Sequence, residues 1–444
     1  MSKSRPYADH RRRFLDLLRE QDAAAVIFTA TEKTRNHDAE YRFRPDSDFW
    51  YLTGFREPDC CLLLLPDREE GESVLFLRRR VPEEEVWTGL RLGVERASEV
   101  LGVDEARPIE KLWDDLPELL KGYRDIVYAL GRDEGRDRKM MDAAKVLRRQ
   151  ARGGVQPPLE WIDPLETLHE LRLFKTESEL EIMRRAAAVT TEAHTAAMAE
   201  TAPGVNEAAI DGLLEYTFRR RGGTGAAYTN IVAGGANACI LHYIENDRPL
   251  KAGDLLLIDA GCEMDFYASD VTRTFPVDGH FSAEQRALYQ VVLDAQKQAI
   301  EHVRKGVTFE SVHDVATRAL CAGLVELGLV QGSVDEVVES GSYRRFYMHR
   351  TGHWLGLDVH DQGRYHLAGQ SRKLQPGMVL TVEPGLYVAP DDETVEARWR
   401  GIGIRIEDDI LVTESGYENL TAAIPKEIED VEAACAGTGN LAAV

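Results

Sequence analysis

The chain has 444 residues, more than one ordinary core accommodates, so two or three domains are expected. Its 43% hydrophobic and 29% charged content are those of a soluble globular protein. With 54 basic against 76 acidic residues, the net charge of −22 argues against nucleic acid or anionic membranes as main partners, since both reward clustered Lys and Arg.

The opening residues, MSKSRPYADHRRRFLDLL, hold no long apolar stretch, so no secretory signal is expected. No segment approaches the ~20 apolar residues of a membrane span. Residues 7–20 read as a basic amphipathic helix, and AAAVIFTA, FWYLTGF, CCLLLLP and SVLFLRR read as strands. A helix over 109–120, the strand DIVYAL and a helix over 137–150 follow. The segment ARGGVQPPLEWIDP, with two glycines and three prolines, reads as a linker. The boundary falls near residue 173, giving an α/β domain over 1–173 and a second domain over 174–444. The six cysteines show no CxxC pair, and adjacent Cys60 and Cys61 lie in an apolar strand. Together these features predict a cytoplasmic protein with reduced thiols.

The second domain opens on a capping box, Thr176 with Glu179, and a helix that runs to the TAPG stop. A helix over 206–221 and a strand-rich stretch to Asp278 follow. Ser282 caps a helix ending near Gly306, another spans about 309–329, and residues 345–413 are again strand-rich. The small-residue tail AACAGTGNLAAV reads as frayed.

One pattern occurs twice. Residues 250–261 read LKAGDLLLIDAG and residues 374–385 read LQPGMVLTVEPG, each an apolar strand running into an acid, Asp259 or Glu383. Each copy is followed by a second acid, Asp270 in YASDVTRTF and Glu407 in GIGIRIEDDI. Burying an unpaired carboxylate is costly, so four in matched frames point to a hard divalent metal site. The duplication predicts two α+β halves related by a pseudo-twofold, with the acids at a shared centre.

Between the copies lies YMHRTGHWLGLDVHD, with His349, His353 and His360, and His242 stands just ahead of the first copy. The other eight histidines, His313 and His366 among them, receive no role. Four carboxylates and an imidazole favour Mn²⁺ and permit Zn²⁺, Co²⁺ or Fe²⁺. They exceed what one divalent ion needs, so two ions roughly 3.5–4 Å apart are expected, with metal-assisted hydrolysis as the reaction class.

The segments ILHYIEND, LIDAGCE, ASDVTRTFPV, HRTGHWLGLDVHD, TVEPGLY and GIGIRIEDD together resemble the pita-bread metallopeptidases, and within them the Xaa-Pro aminopeptidases. DSDFWYLTGFREPD and VWTGLRLG extend the resemblance over nearly the whole chain. It implies a pita-bread catalytic domain behind a smaller α/β domain that limits access and builds oligomer contacts. It also implies removal of the residue before proline from peptides by a homo-oligomer, dimeric or tetrameric. The implied metal ligands are Asp259, Asp270, His353, Glu383 and Glu407, with Asp270 and Glu407 shared and Glu383 also serving the nucleophile. His242 and His360 would flank the scissile amide, His349 would border the proline pocket, and Arg405 would orient substrate. Tyr228 would hold the free amine, Tyr387 would sit near the leaving peptide, and Trp87 would reach a neighbouring subunit. The other reading of Trp87 is an ordinary packed or surface residue. A prolidase acting on dipeptides is the nearest rival, and a non-catalytic binding protein or a calcium scaffold are rivals of another class.

Overall fold

The computed structural model describes residues 6–436, so residues 437–444 of the small-residue tail lie outside the described residues. The chain divides into one unit up to Arg172 and another from Leu173.

In the first unit the helices are α1 (Tyr7–Glu20), α2 (Ser47–Thr53), α3 (Pro82–Thr88), α4 (Val94–Leu101), α5 (Leu112–Leu119) and α6 (Glu134–Gln150). The strands of its main sheet are β1 (Ala23–Phe28), β2 (Cys61–Leu64), β3 (Ser73–Leu77), β4 (Glu105–Pro108), β5 (Asp125–Val127) and β6 (Glu160–Ile162). They form one mixed sheet in the order β4-β3-β2-β1-β5-β6. Val26, Leu63, Phe76 and Ile126 meet Leu116 of α5 and Leu147 of α6 on one face, forming a core. Two expectations need correction. FWYLTGF is not a strand but lies mostly in α2, started by the Asp46 carboxylate, which accepts from the Asp48 and Phe49 amides. Gly54, at φ 61°, ends it in the left-handed conformation. All seven α2 residues are buried, so their sequence carries no alternation to reveal the helix. The supposed linker contains β6, which pairs in parallel with β5 at the sheet edge. Helices α3 and α4 were not anticipated either.

The second unit opens with α7 (Glu177–Glu200), started by the Thr176–Glu179 capping box, and α8 (Glu207–Arg220). A three-stranded sheet follows, β7 (Ile231–Gly234), β8 (Leu255–Asp259) and β9 (Thr272–Pro276), with β8 central. Helices α9 (Ala283–His302) and α10 (Phe309–Glu326) come next. The second sheet contains β10 (Val379–Val382), β13 (Asp408–Val412) and β14 (Tyr417–Asn419), with β13 central. Between β10 and β13 the hairpin of β11 (Gly385–Tyr387) and β12 (Gly403–Arg405) branches off. Each repeat therefore places one acid at the exit of a strand and the other just before its antiparallel partner. Asp259 stands opposite Thr272, two residues after Asp270, while Val382 and Asp408, neighbours of Glu383 and Glu407, stand opposite each other.

Hydrogen bonds join the halves where the acids converge. The Glu407 amide donates to the Thr272 carbonyl at 3.0 Å, and the Thr274 hydroxyl donates to the Arg405 carbonyl at 3.0 Å. The fully buried Arg273 donates to the Glu407 carbonyl at 2.6 Å and pairs with Asp408 at 2.7 Å. Removing either partner would strand a buried charge.

Candidate metal centre

The second unit holds a cavity of about 810 Å³. Of the residues singled out in the sequence, Tyr228, His242, Asp259, Asp270, His349, His353, His360, Glu383, Arg405 and Glu407 all line it. Tyr387 does not line it, because its hydroxyl is engaged beneath the surface by Arg405 and His349, each at 2.9 Å. Trp87 lies on α3 of the first unit and is 87% exposed.

Asp270, His353 and Glu407 offer ligand atoms all within 4.8 Å of one another. The other two acids border this group. Glu383 Oε1 is 3.7 Å from His353 Nε2, and Asp259 Oδ1 shares the Tyr228 hydroxyl with Asp270, at 2.6 and 2.5 Å. Two of the carboxylates and the main chain of a third acid are held from behind. The Thr272 hydroxyl donates to Glu407 at 2.7 Å, Arg405 donates to Asp259 at 2.6 Å, and the Asp270 amide reaches Asp409 at 3.2 Å. His353 donates its Nδ1–H to the Trp354 carbonyl at 3.0 Å, which turns Nε2 toward the acids.

The donor set fits a cation. One phenolic proton on Tyr228 faces two carboxylates and can serve only one of them. Burial, then the neighbouring acids Asp270, Glu383 and Asp259, push Glu407 well above the usual carboxylate range. Burial likewise raises Glu383 to about 7 and raises Asp259. Burial would lower His353, but the Asp270 hydrogen bond and the charges of Asp270 and Glu383 outweigh it and raise His353 to about 9. Burial would raise Asp270, but the hydrogen bond and charge of His353, with the Tyr228 hydroxyl and Arg405, hold it below its ordinary value. A buried cluster this short of positive charge, built from oxygens and one imidazole, suits a hard or borderline divalent ion.

His349 and His360 are held toward the neutral form. Burial, then Arg405, lowers His349 to about 4, and burial with the His353 charge lowers His360. Arg405 donates to the Tyr387 hydroxyl, which donates to His349 Nε2, while His349 Nδ1–H donates to the Arg350 carbonyl at 2.7 Å. The ring of His360 sits edge-on to His353, centroids 4.3 Å apart. Phe309, Val312, Val359, Tyr365 and Leu380 give the cavity an apolar wall.

The family "Metallopeptidase family M24" matches residues 181–414, and "Aminopeptidase P, N-terminal domain" matches residues 7–128. The chain belongs to metallopeptidase family M24. This M24 chain is 45% identical over 431 residues to the Xaa-Pro aminopeptidase of Escherichia coli strain K12, covering 97% of each chain. Its structure resembles that of Pseudomonas aeruginosa aminopeptidase PepP, with a TM-score of 0.94, 49% identity and 97% of each chain covered. It also resembles Zn-substituted E. coli aminopeptidase P in complex with product, with a TM-score of 0.92, 45% identity and coverage of 96% and 98%. The second unit is thus an M24 pita-bread domain, behind an aminopeptidase P amino-terminal domain, and the protein is a hydrolase dependent on divalent metal ions.

Sequence reasoning missed several residues at this M24 site. His313 and His366, given no role, both line the cavity. Thr272 and Asp409 lie behind the ligands; adjacency to Asp270 and Glu407 was the one available signal. Among the described residues, no helix is long and apolar enough to cross a membrane.

Proposed function

We propose that this enzyme hydrolyses the N-terminal Xaa-Pro bond of peptides and releases the residue before proline. The observation that carries the reading is the placement of the carboxylate–imidazole cluster against the apolar wall of Phe309, Val312, Tyr365 and Leu380. A bond to proline is a tertiary amide without an N–H, so its ring must be read by shape rather than by hydrogen bonding. The name of the 45% identical E. coli relative supports the same substrate.

In this proposal Asp259, Asp270, His353, Glu383 and Glu407 hold two divalent ions, Mn²⁺ first among the candidates, with Asp270 and Glu407 shared. Bound there, divalent ions would supply Lewis-acid polarisation of the scissile carbonyl and a more acidic attacking water. Glu383 would accept the proton that the attacking water loses. His242 and His360 flank the amide, hold its oxygen and relay that proton to the proline nitrogen. Neutral His349 borders the proline ring, Tyr228 and Asp259 receive the peptide's amine, and Arg405 fixes Asp259 and Tyr387. Tyr387, through His349, supports the side of the leaving peptide. Residues 1–173 govern access and oligomer contacts, with Trp87 reaching a neighbouring subunit in a dimer or tetramer. We place the enzyme in the cytoplasm, a reading supported by six free cysteines.

The test assays Xaa-Pro and Xaa-Pro-Xaa peptides side by side, with metal content measured on the same sample. Turnover of the longer peptides, abolished by chelator and restored by Mn²⁺, is expected. Turnover of dipeptides alone would make the enzyme a prolidase instead.

A further inference from the structure

His313 has no part in the mechanism above, yet it lines the cavity from α10. Its Nδ1 is 2.8 Å from the Thr351 hydroxyl, and that hydroxyl is 2.6 Å from the Tyr347 hydroxyl. Thr351 and Tyr347 are both buried, at 2% and 1% exposure. The Thr351 hydroxyl has one proton, so it donates in one of these contacts and accepts in the other. The direction Tyr347 to Thr351 to His313 Nδ1 gives each proton an acceptor. It leaves His313 Nε2–H facing the Thr317 hydroxyl at 3.4 Å. Burial lowers His313 to about 4, so its Nδ1 keeps a lone pair at neutral pH.

What this relay holds is the segment between His349 and His353. The Thr351 carbonyl accepts the Glu383 amide at 2.8 Å. The Tyr347 ring meets His349 edge-on, centroids 5.0 Å apart, and lies 5.7 Å from the His313 ring. One side chain of α10 therefore anchors the main chain that seats Glu383 and the aromatic surface that seats His349.

We propose that His313 is a positioning residue of this active site, fixing Glu383 and His349 through the hydroxyl of Thr351. The catalytic consequence rests on the peptidase reading, whereas the placement of His349 does not. An acceptor where Nδ1 stands is what the relay needs, and the Asn side chain offers an oxygen at the corresponding position. His313→Ala should lower kcat about 10–100-fold, the range for losing a supporting partner, with KM changed far less. His313→Asn should recover most of the loss, and Thr351→Val should reproduce it without adding to it in the double variant.

A second readout avoids both substrate and metal. In chelator-treated, 15N-histidine-labelled protein, the His349 ring resonances should shift in His313→Ala and return toward wild type in His313→Asn. Unchanged His349 resonances in a folded His313→Ala protein would overturn the proposal. So would an Asn variant as impaired as Ala. If the resonances move as stated but no Xaa-Pro peptide is cut by wild type, the substrate reading fails and the positioning role stands.

Discussion

At the scale of single residues, the centre depends on groups that carry charge and on groups that aim them. Asp270→Ala or Glu407→Ala removes a group of the converging set. Both should abolish turnover and reduce bound metal, and near-normal turnover in either would refute their shared role. Thr272→Val keeps the shape but removes the hydroxyl that donates to Glu407 and accepts from Arg405 Nε at 3.0 Å. Its expected cost is about 10–100-fold in activity or metal affinity, read by titrating apoenzyme with Mn²⁺. His194 supplies a pH dependence. It is fully buried and donates Nε2–H to the Ala260 carbonyl at 2.9 Å, and burial lowers it to about 4. The unfolded chain binds this proton near pH ~6.5. The folded state therefore loses stability as pH falls from the unfolded value toward the folded one, by roughly 3 kcal/mol in total. Above that window the contribution is constant. His194→Gln keeps a donor but cannot titrate, so urea unfolding at about pH 7 and pH 4.5 should differ less for the variant than for wild type.

At the scale of elements, what could be read in the sequence depended on whether burial was one-sided. Helix α7 declared itself through Thr176 and Glu179, and β8 and β10 through apolar residues ending in acids. Helix α2 did not, because Phe49, Trp50, Tyr51 and Leu52 are buried all round and show no period. The edge strand β6 was hidden because its flanking glycines and prolines speak for a loop. The ligands were legible as repeated acids; His313 was not, since an isolated helical histidine looks alike whether it faces a cavity or a core. One glycine tests the element geometry. A Cβ at Gly352 would lie 2.0 Å from the Thr381 carbonyl oxygen, a backbone atom with little room to yield. Gly352→Ala should therefore destabilise by roughly 1–3 kcal/mol and displace the neighbouring His353. A wild-type unfolding midpoint would contradict this close approach.

At the scale of the whole molecule, metal and fold should be coupled. A ligand bound only by the folded state stabilises it by about 2.7 kcal/mol at a hundred times its Kd. Chelation should lower the thermal unfolding midpoint and added Mn²⁺ should restore it, followed by calorimetry. An unchanged midpoint would mean that the acids are not occupied by ions in the folded enzyme. The two repeated frames bear on how such a centre comes into being. One frame supplies Asp259 and Asp270, and the other supplies Glu383 and Glu407. A nascent chain released before His349 carries half of the acids and none of the histidine segment. The full ligand set is therefore withheld from every copy that stops short of Glu407.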